Sequence, residues 1–181
     1  MGKELKVEFG RINQDNIEQL RKVNLACFPV QYQEKYYKDV SASVGEGLCK
    51  FAYWNGFVVG AASSRIEPIN GSNGNTDEPK NDNESNEKRI YIMTLGVLAA
   101  YRGRTIGTQL IQSILDYFEE NKNESPELKD VIEISLHVQI SNDDAIKFYT
   151  EKFGFEKGEM VENYYRRIDP PHCYKLYKKV R

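Results

Sequence analysis

The chain has 181 residues and a formal net charge of −2, from 25 Lys and Arg against 27 Asp and Glu. So balanced a charge makes no demand for nucleic acid or an anionic membrane as partner. With 40% hydrophobic and 29% charged residues, a single globular domain spanning 1–181 is expected. Three cysteines, Cys27, Cys49 and Cys173, are odd in number and form no CxxC pair, so neither a metal site nor a disulfide framework is expected. A reduced compartment, the cytoplasm, is the expected location. Met1–Lys6 lacks an apolar signal region, and no run approaches membrane-spanning length. Lys6 stands where an N-myristoylation motif wants Ser or Thr.

In chain order, Asp15 or Asn16 can cap a helix with Ile17, Leu20, Asn24 and Cys27 at helical spacing, ended by Pro29. Tyr36, Tyr37 and Val40 suggest a short second helix. Strand-like runs Phe51–Trp54 and Phe57–Ser63 flank Asn55-Gly56, a strong hairpin signal. From Glu67 to Lys88 the chain is rich in Asn, Ser, Gly, Asp and Glu, too polar to order itself, and is expected to be a disordered loop between two strands. Its length costs little, because closure entropy grows slowly.

Ile90–Leu98 then reads as a strand, Tyr101–Thr108 as a turn, and the residues after Gly107 as a helix with Leu110, Ile111, Ile114, Leu115 and Phe118 on one face. A polar return, Asn121–Asp130, precedes the strand Val131–Gln139. There Ile132, Ile134, Leu136 and Val138 alternate with Glu133, Ser135, His137 and Gln139. Ser141 or Asn142 can cap the next helix, and Gly154 can stop it. Short strands around Phe155–Met160 and His172–Val180 finish the chain. The strand–helix–strand order implies a right-handed crossover and a parallel pair inside an otherwise antiparallel, mixed α/β sheet.

Three places can carry chemistry. The turn Arg102–Thr108 opens a helix, where glycines allow close backbone approach and the helix N-terminus favours phosphate. Arg102 and Arg104 can add positive charge there, although an ordinary strand–helix turn explains the same residues. His137, one of two histidines, sits on the polar side of its strand, and Tyr91 shares a face with Met93, Leu95 and Val97. Histidine needs little perturbation to act as a base near neutral pH, whereas tyrosine needs a lowered pKa or an intervening water. Both positions are also compatible with structural roles. The third place is aromatic: Phe28-Pro29-Val30-Gln31-Tyr32 and Asn163-Tyr164-Tyr165 can line a peptide groove or pack a loop.

Together these segments resemble the GNAT superfamily of acetyltransferases and, more narrowly, its NatE-type N-terminal acetyltransferases. The resemblance rests on Phe28-Pro-Val-x-Tyr32, Arg89-x-Tyr-Ile-Met-Thr-Leu-Gly-Val-Leu98 and Ile106-Gly-Thr108. It continues through Leu136-His-Val-Gln-Ile-Ser-Asn142, Ala145-Ile-x-Phe-Tyr149, Lys152-Phe-Gly-Phe-Glu156 and Asn163-Tyr-Tyr165. It implies the GNAT fold, a mixed central sheet of about seven strands flanked by about four helices. It also implies acetyl transfer from acetyl-CoA to the α-amino group of Met-starting polypeptides with an apolar second residue.

By the same resemblance, Tyr91 and His137 act through water as general bases, and Tyr149 lies near the departing sulfur. Cofactor contacts fall on Leu95, Gly96, Val97 and Leu98, on Arg102, Gly103, Arg104, Thr105, Ile106, Gly107 and Thr108, and on Asn142 and Tyr149. The initiator methionine falls to Phe28, Pro29, Val30, Tyr32 and Met93, with Tyr164, Tyr165 and Ile168. Implied partners are nascent polypeptide N-termini and the ribosome-associated NatA auxiliary and catalytic subunits. Thr105 departs from the family pattern, which places a glycine there. A β-branched residue at that point can crowd the pyrophosphate or donate to it, so the alternative is a weakly active or inactive GNAT subunit that serves as a binding component of a ribosome-associated NatA/NatE complex.

Overall fold

The computed structural model describes residues 6–42, 47–69 and 86–181. They form β1 (Glu8–Arg11), α1 (Ile17–Cys27), α2 (Glu34–Ser41), β2 (Lys50–Trp54), β3 (Phe57–Pro68) and β4 (Lys88–Val97). These are followed by a 3-10 turn (Ala99–Tyr101), α3 (Ile106–Asn121), β5 (Val131–Gln139), α4 (Asp143–Phe153), β6 (Glu156–Val161) and β7 (Cys173–Lys179). The seven strands hydrogen-bond in the order β1-β2-β3-β4-β5-β7-β6. Two compact units divide the chain: residues 1–65 with 92–128, and residues 66–91 with 129–181.

In the first unit, Asn55 and Gly56 take φ of 49° and 79°. Those left-handed values are what a two-residue turn needs to follow the strand twist. β1, which no periodicity announces, pairs antiparallel with β2 from Glu8↔Tyr53 to Arg11↔Lys50. Leu20, Val23, Tyr37, Val40, Phe51 and Ala61 bury against one another as one core. α3 buries Ile106, Leu110, Ile111, Ile114 and Phe118, and starts at Ile106, a residue ahead of Gly107. Leu115, expected on that buried face, is only half-buried. Asn16 stands at the N-cap of α1 but does not cap it. Instead its Oδ1 accepts from the Asn13 N–H at 2.8 Å and its Nδ2 donates to the Arg11 carbonyl at 2.9 Å, tying the helix to the strand before it.

In the second unit, the start of β4 pairs parallel with β5, with Tyr91 opposite Ser135. β5 pairs antiparallel with β7, which places His137 opposite Lys175. Asn142 does cap α4, accepting from the Ala145 N–H at 3.1 Å, and Gly154 ends it at φ 67°. The loop expected at 67–88 is shorter at both ends. β3 continues to Pro68, β4 begins at Lys88, and the Ile69 N–H donates to the Glu87 carbonyl at 3.0 Å. The strand hydrogen bonds outweigh the polar composition there; the rest of that loop, 70–85, lies outside the described residues, as does Met1–Leu5.

Candidate active site

The second unit brings three of the expected residues together. Tyr91 Oη lies 2.9 Å from His137 Nδ1 and 3.0 Å from Tyr164 Oη. The Tyr164 ring stacks on the His137 ring, 4.6 Å between centroids and 25° between planes, and meets Tyr165 edge-on at 4.9 Å. Strand register causes the first contact. Alternate residues of β4 and β5 point to one side, and the parallel pairing sets Tyr91 beside Ser135, one pleat from His137. Tyr164 arrives from the β6–β7 connection. Asn163 there takes a left-handed φ of 54°, its N–H donates to His172 Nδ1 at 3.2 Å, and the Tyr165 N–H donates to the Pro171 carbonyl at 2.8 Å. Ile168 is half-buried on the same connection.

His137 does not keep its ordinary pKa. Burial, then the positive charges of Arg89 and Lys175, push it down to about 4, with Glu67 opposing. The imidazole is therefore neutral throughout the physiological range, and the expectation of a base titrating near its reference value gives way to one that titrates well below it. Arg89 is anchored by Glu67, its Nε donating to Oε1 at 2.8 Å. Lys175 is anchored by Glu133, with Nζ 2.8 Å from Oε1. Between Tyr91 and Tyr177, Ser135 is fully buried.

Tyr149 is buried, its ring edge-on to Phe148 and Phe155. Burial pushes its phenol well above the ordinary value, so it stays protonated: it can donate a hydrogen bond, but it is a weaker acid than a free phenol. Burial, with Cys173 and Tyr164 adding, pushes Tyr165 up to about 12.

In the first unit, the second half of β4 carries Met93, Leu95 and Val97 on a half-buried face, while Thr94 and Gly96 are buried. A Cβ on Gly96 would stand 3.2 Å from Cys27 Sγ and 3.4 Å from the Phe28 ring, so its absence lets the end of α1 lie on the strand. Phe28 meets Tyr32 edge-on at 6.0 Å, and Tyr32 packs on Tyr36 at 4.6 Å; Pro29 is exposed and Val30 half-buried between them. Beneath these rings Tyr36 Oη reaches Ser63 Oγ at 2.8 Å and Thr94 Oγ1 at 3.1 Å. This hydroxyl cluster was invisible in the sequence, because its members come from three separate elements.

After β4, the Leu98 N–H donates to the Val59 carbonyl at 2.9 Å and the chain turns into α3. Gly103 has φ 70°, and Thr105, the N-cap, is left-handed at φ 63°, ψ 3°. That is the conformation a glycine adopts freely and a β-branched residue adopts under strain. Thr105 thus keeps the turn in its glycine geometry. Its Oγ1 accepts from Gln109 Nε2 at 3.0 Å and makes no capping bond, and the first turn of α3 holds no acidic residue. A helix N-terminus without a side-chain acceptor is fitted to a pyrophosphate. Arg102 is less available than expected: its Nε donates to the Val97 carbonyl at 2.9 Å and its side chain bonds to Cys27. Arg104 is exposed, and so is Asn142.

The acetyltransferase (GNAT) family pattern matches residues 17–155. The chain belongs to the GNAT acetyltransferase family. As a GNAT chain it is 42% identical to N-alpha-acetyltransferase 50 of Danio rerio over 97% of its own length and 90% of that protein. It is also 42% identical to the probable N-acetyltransferase san of Drosophila melanogaster, over 97% of its length and 82% of that protein. Among solved structures, Arabidopsis thaliana Naa50 in complex with the bisubstrate analogue CoA-Ac-MVNAL is 40% identical, with a TM-score of 0.76, covering 95% of this GNAT chain and 97% of that one. The seven-stranded mixed sheet and four helices are the GNAT fold. Among the described residues no helix is long and apolar enough to cross a membrane, and no group of three or more His, Cys, Asp or Glu could hold a metal.

Proposed function

We propose that the chain moves the acetyl group of acetyl-CoA onto the α-amino group of polypeptides that begin with Met and carry an apolar second residue. The observation that carries this reading is the Tyr91–His137 contact, in a chain whose relative was solved with a CoA-linked peptide beginning Met-Val. The half-buried Phe28, Val30 and Tyr32, with Met93, support an apolar first residue. Tyr164, Tyr165 and Ile168 complete the set assigned to the peptide.

Acetyl-CoA supplies the thioester carbonyl that the free amine attacks. Leu95–Leu98, Arg102–Thr108 and Asn142 are the residues that would hold it, and the uncapped start of α3 would take its pyrophosphate. Tyr91 and His137 accept the proton that the ammonium must lose, and Tyr149, held protonated by burial, would offer its hydroxyl hydrogen bond to the leaving thiolate. An α-ammonium has a reference pKa of about 8, so passing its proton to an imidazole near 4 is uphill by about 5 kcal/mol. A turnover of about 10 s⁻¹ corresponds to a barrier of about 16 kcal/mol, which leaves room for that transient step.

Acetylation of synthetic peptides by the purified protein tests the reading. Met-Leu peptides are expected to react faster than Ser-Glu peptides; equal rates would sink the specificity. A second reading, a weakly active or inactive binding subunit, is favoured by the strained Thr105. Calorimetry with acetyl-CoA separates the two: micromolar binding supports the enzyme and no binding supports the scaffold. Cytoplasmic nascent chains, one domain spanning 1–181, and assembly with the NatA subunits near the ribosome complete the proposal, on the strength of the NatE-type motifs.

A further inference from the structure

Tyr164 was assigned only to peptide binding, yet its geometry ties it to proton chemistry. Its hydroxyl is 3.0 Å from that of Tyr91, its ring lies on His137, and at 42% exposure it is the accessible end of the three-residue chain. Tyr91 and His137 are both partly covered, and Tyr91 Oη stands between the other two polar atoms. A hydroxyl in that central position can donate one hydrogen bond while accepting another.

We propose that Tyr164 is a catalytic residue, the outer member of a hydroxyl relay running Tyr164–Tyr91–His137, and the group that takes the proton from the substrate amine or its water. This rests on the N-terminal acetyltransferase reading above. With His137 protonated at Nε2, its Nδ1 accepts from the Tyr91 hydroxyl, and the Tyr91 oxygen accepts from the Tyr164 hydroxyl. The outward lone pair of Tyr164 then faces the ammonium. In the transfer, the amine N–H bond breaks and a Tyr164 O–H bond forms. The original Tyr164 proton passes to Tyr91, and the original Tyr91 proton passes to His137 Nδ1. Both tyrosines end neutral, the imidazole carries the charge, and its extra proton leaves to water. No tyrosinate is needed at any stage, so two phenols can serve at neutral pH. The stack on His137 fixes the ring of Tyr164 so that only its hydroxyl defines the relay.

Replacing Tyr164 by Phe keeps the ring and removes the relay atom. With a Met-Leu peptide and saturating acetyl-CoA, Tyr164→Phe is expected to lower kcat about 10-fold or more while peptide KM changes less than about threefold. Members of one relay act as a unit, so Tyr164→Phe combined with His137→Ala should be no more than about threefold slower than the slower single variant. Wild-type turnover in Tyr164→Phe, an effect on KM alone, or losses that multiply in the double variant would each overturn the relay. Nitrogen NMR of the imidazole, with unchanged thermal melting as the folding control, decides the geometry without turnover. The relay requires an unprotonated Nδ1 in the wild type and a shift of its resonance in Tyr164→Phe. A proton resident on Nδ1 overturns it even if the peptide substrate proves to be wrong.

Discussion

Arg89 and Glu67 form a fixed ion pair beside the Tyr91 ring. Arg89 Nη2 lies 2.6 Å from Glu67 Oε1, and its Cζ lies 5.6 Å from the ring centroid. A long cation is thereby held in place instead of swinging into solvent, and its field reaches His137. Removing it should let the imidazole titrate higher. In Arg89→Met the His137 pKa is expected to rise from about 4 toward the reference value of about 6.5, read by NMR titration. An unchanged value would assign the depression to burial and Lys175 alone.

The same depression fixes the pH–rate profile. With His137 neutral above about pH 5, kcat/KM for a Met-Leu peptide should climb from pH 6 to 9 with the substrate amine, reference pKa about 8. No inflection is expected near 6.5. A break there in the wild type, lost in His137→Ala, would contradict the lowered value.

Stability carries a matching signature. The folded pKa of His137 is below the unfolded one, so the unfolded chain binds more protons between the two. The contribution is complete above about pH 6.5 and is lost as pH falls toward about 4. Urea midpoints of wild type and His137→Gln should therefore diverge at pH 7 relative to pH 4.5. Parallel curves would mean that the imidazole is not linked to folding.

Chemistry and binding should separate by residue. His137→Ala is expected to lower kcat by roughly 10²-fold, and Tyr91→Phe to lower it with acetyl-CoA affinity nearly unchanged. Phe28→Ala should act through peptide KM, since it removes surface and not a proton acceptor. Normal turnover in His137→Ala across pH 6 to 9 would make the histidine structural.

Thr105 offers a test of strain. Left-handed φ costs a β-branched residue about 1–2 kcal/mol, while glycine loses about 0.5–1 kcal/mol more backbone entropy on folding. Thr105→Gly is thus expected to be neutral to about 1 kcal/mol stabilising, in spite of the exposed Gln109 hydrogen bond it gives up. Acetyl-CoA should bind at least as well. Thermal unfolding and calorimetry measure both, and a clear loss in either would show that the threonine is used, not tolerated.

The strands and helices that position Tyr91, His137, Thr105 and Asn142 were legible because each has a strong local signal: alternation, a helical face, an Asn cap, a terminating glycine. β1 was not, because four residues with one aromatic carry no period. The fate of His137 was also hidden. Its pKa depends on burial and then on Arg89 and Lys175, brought close by the pairing of β5 with β4 and β7, and sequence spacing says nothing of cross-strand neighbours. Glu67 was read as loop because composition averages over a segment, whereas strand pairing is decided residue by residue. The Tyr36–Ser63–Thr94 hydroxyls were missed for the same reason as the charges.

Gly96 leaves room for Cys27 and Phe28: a Cβ there would stand 3.2 Å from Cys27 Sγ and 3.4 Å from the Phe28 ring. The position of the Phe28 ring is therefore set from behind, by a residue that offers a ligand no side chain of its own. A single methyl at 96 would crowd Cys27 at 3.2 Å and press on the end of α1, which leads into Phe28, without altering any residue in the Phe28–Tyr32 run. On the proposed peptide site, preference for the first residue of a substrate would then be retuned from the strand, with the Phe28–Tyr32 sequence left intact.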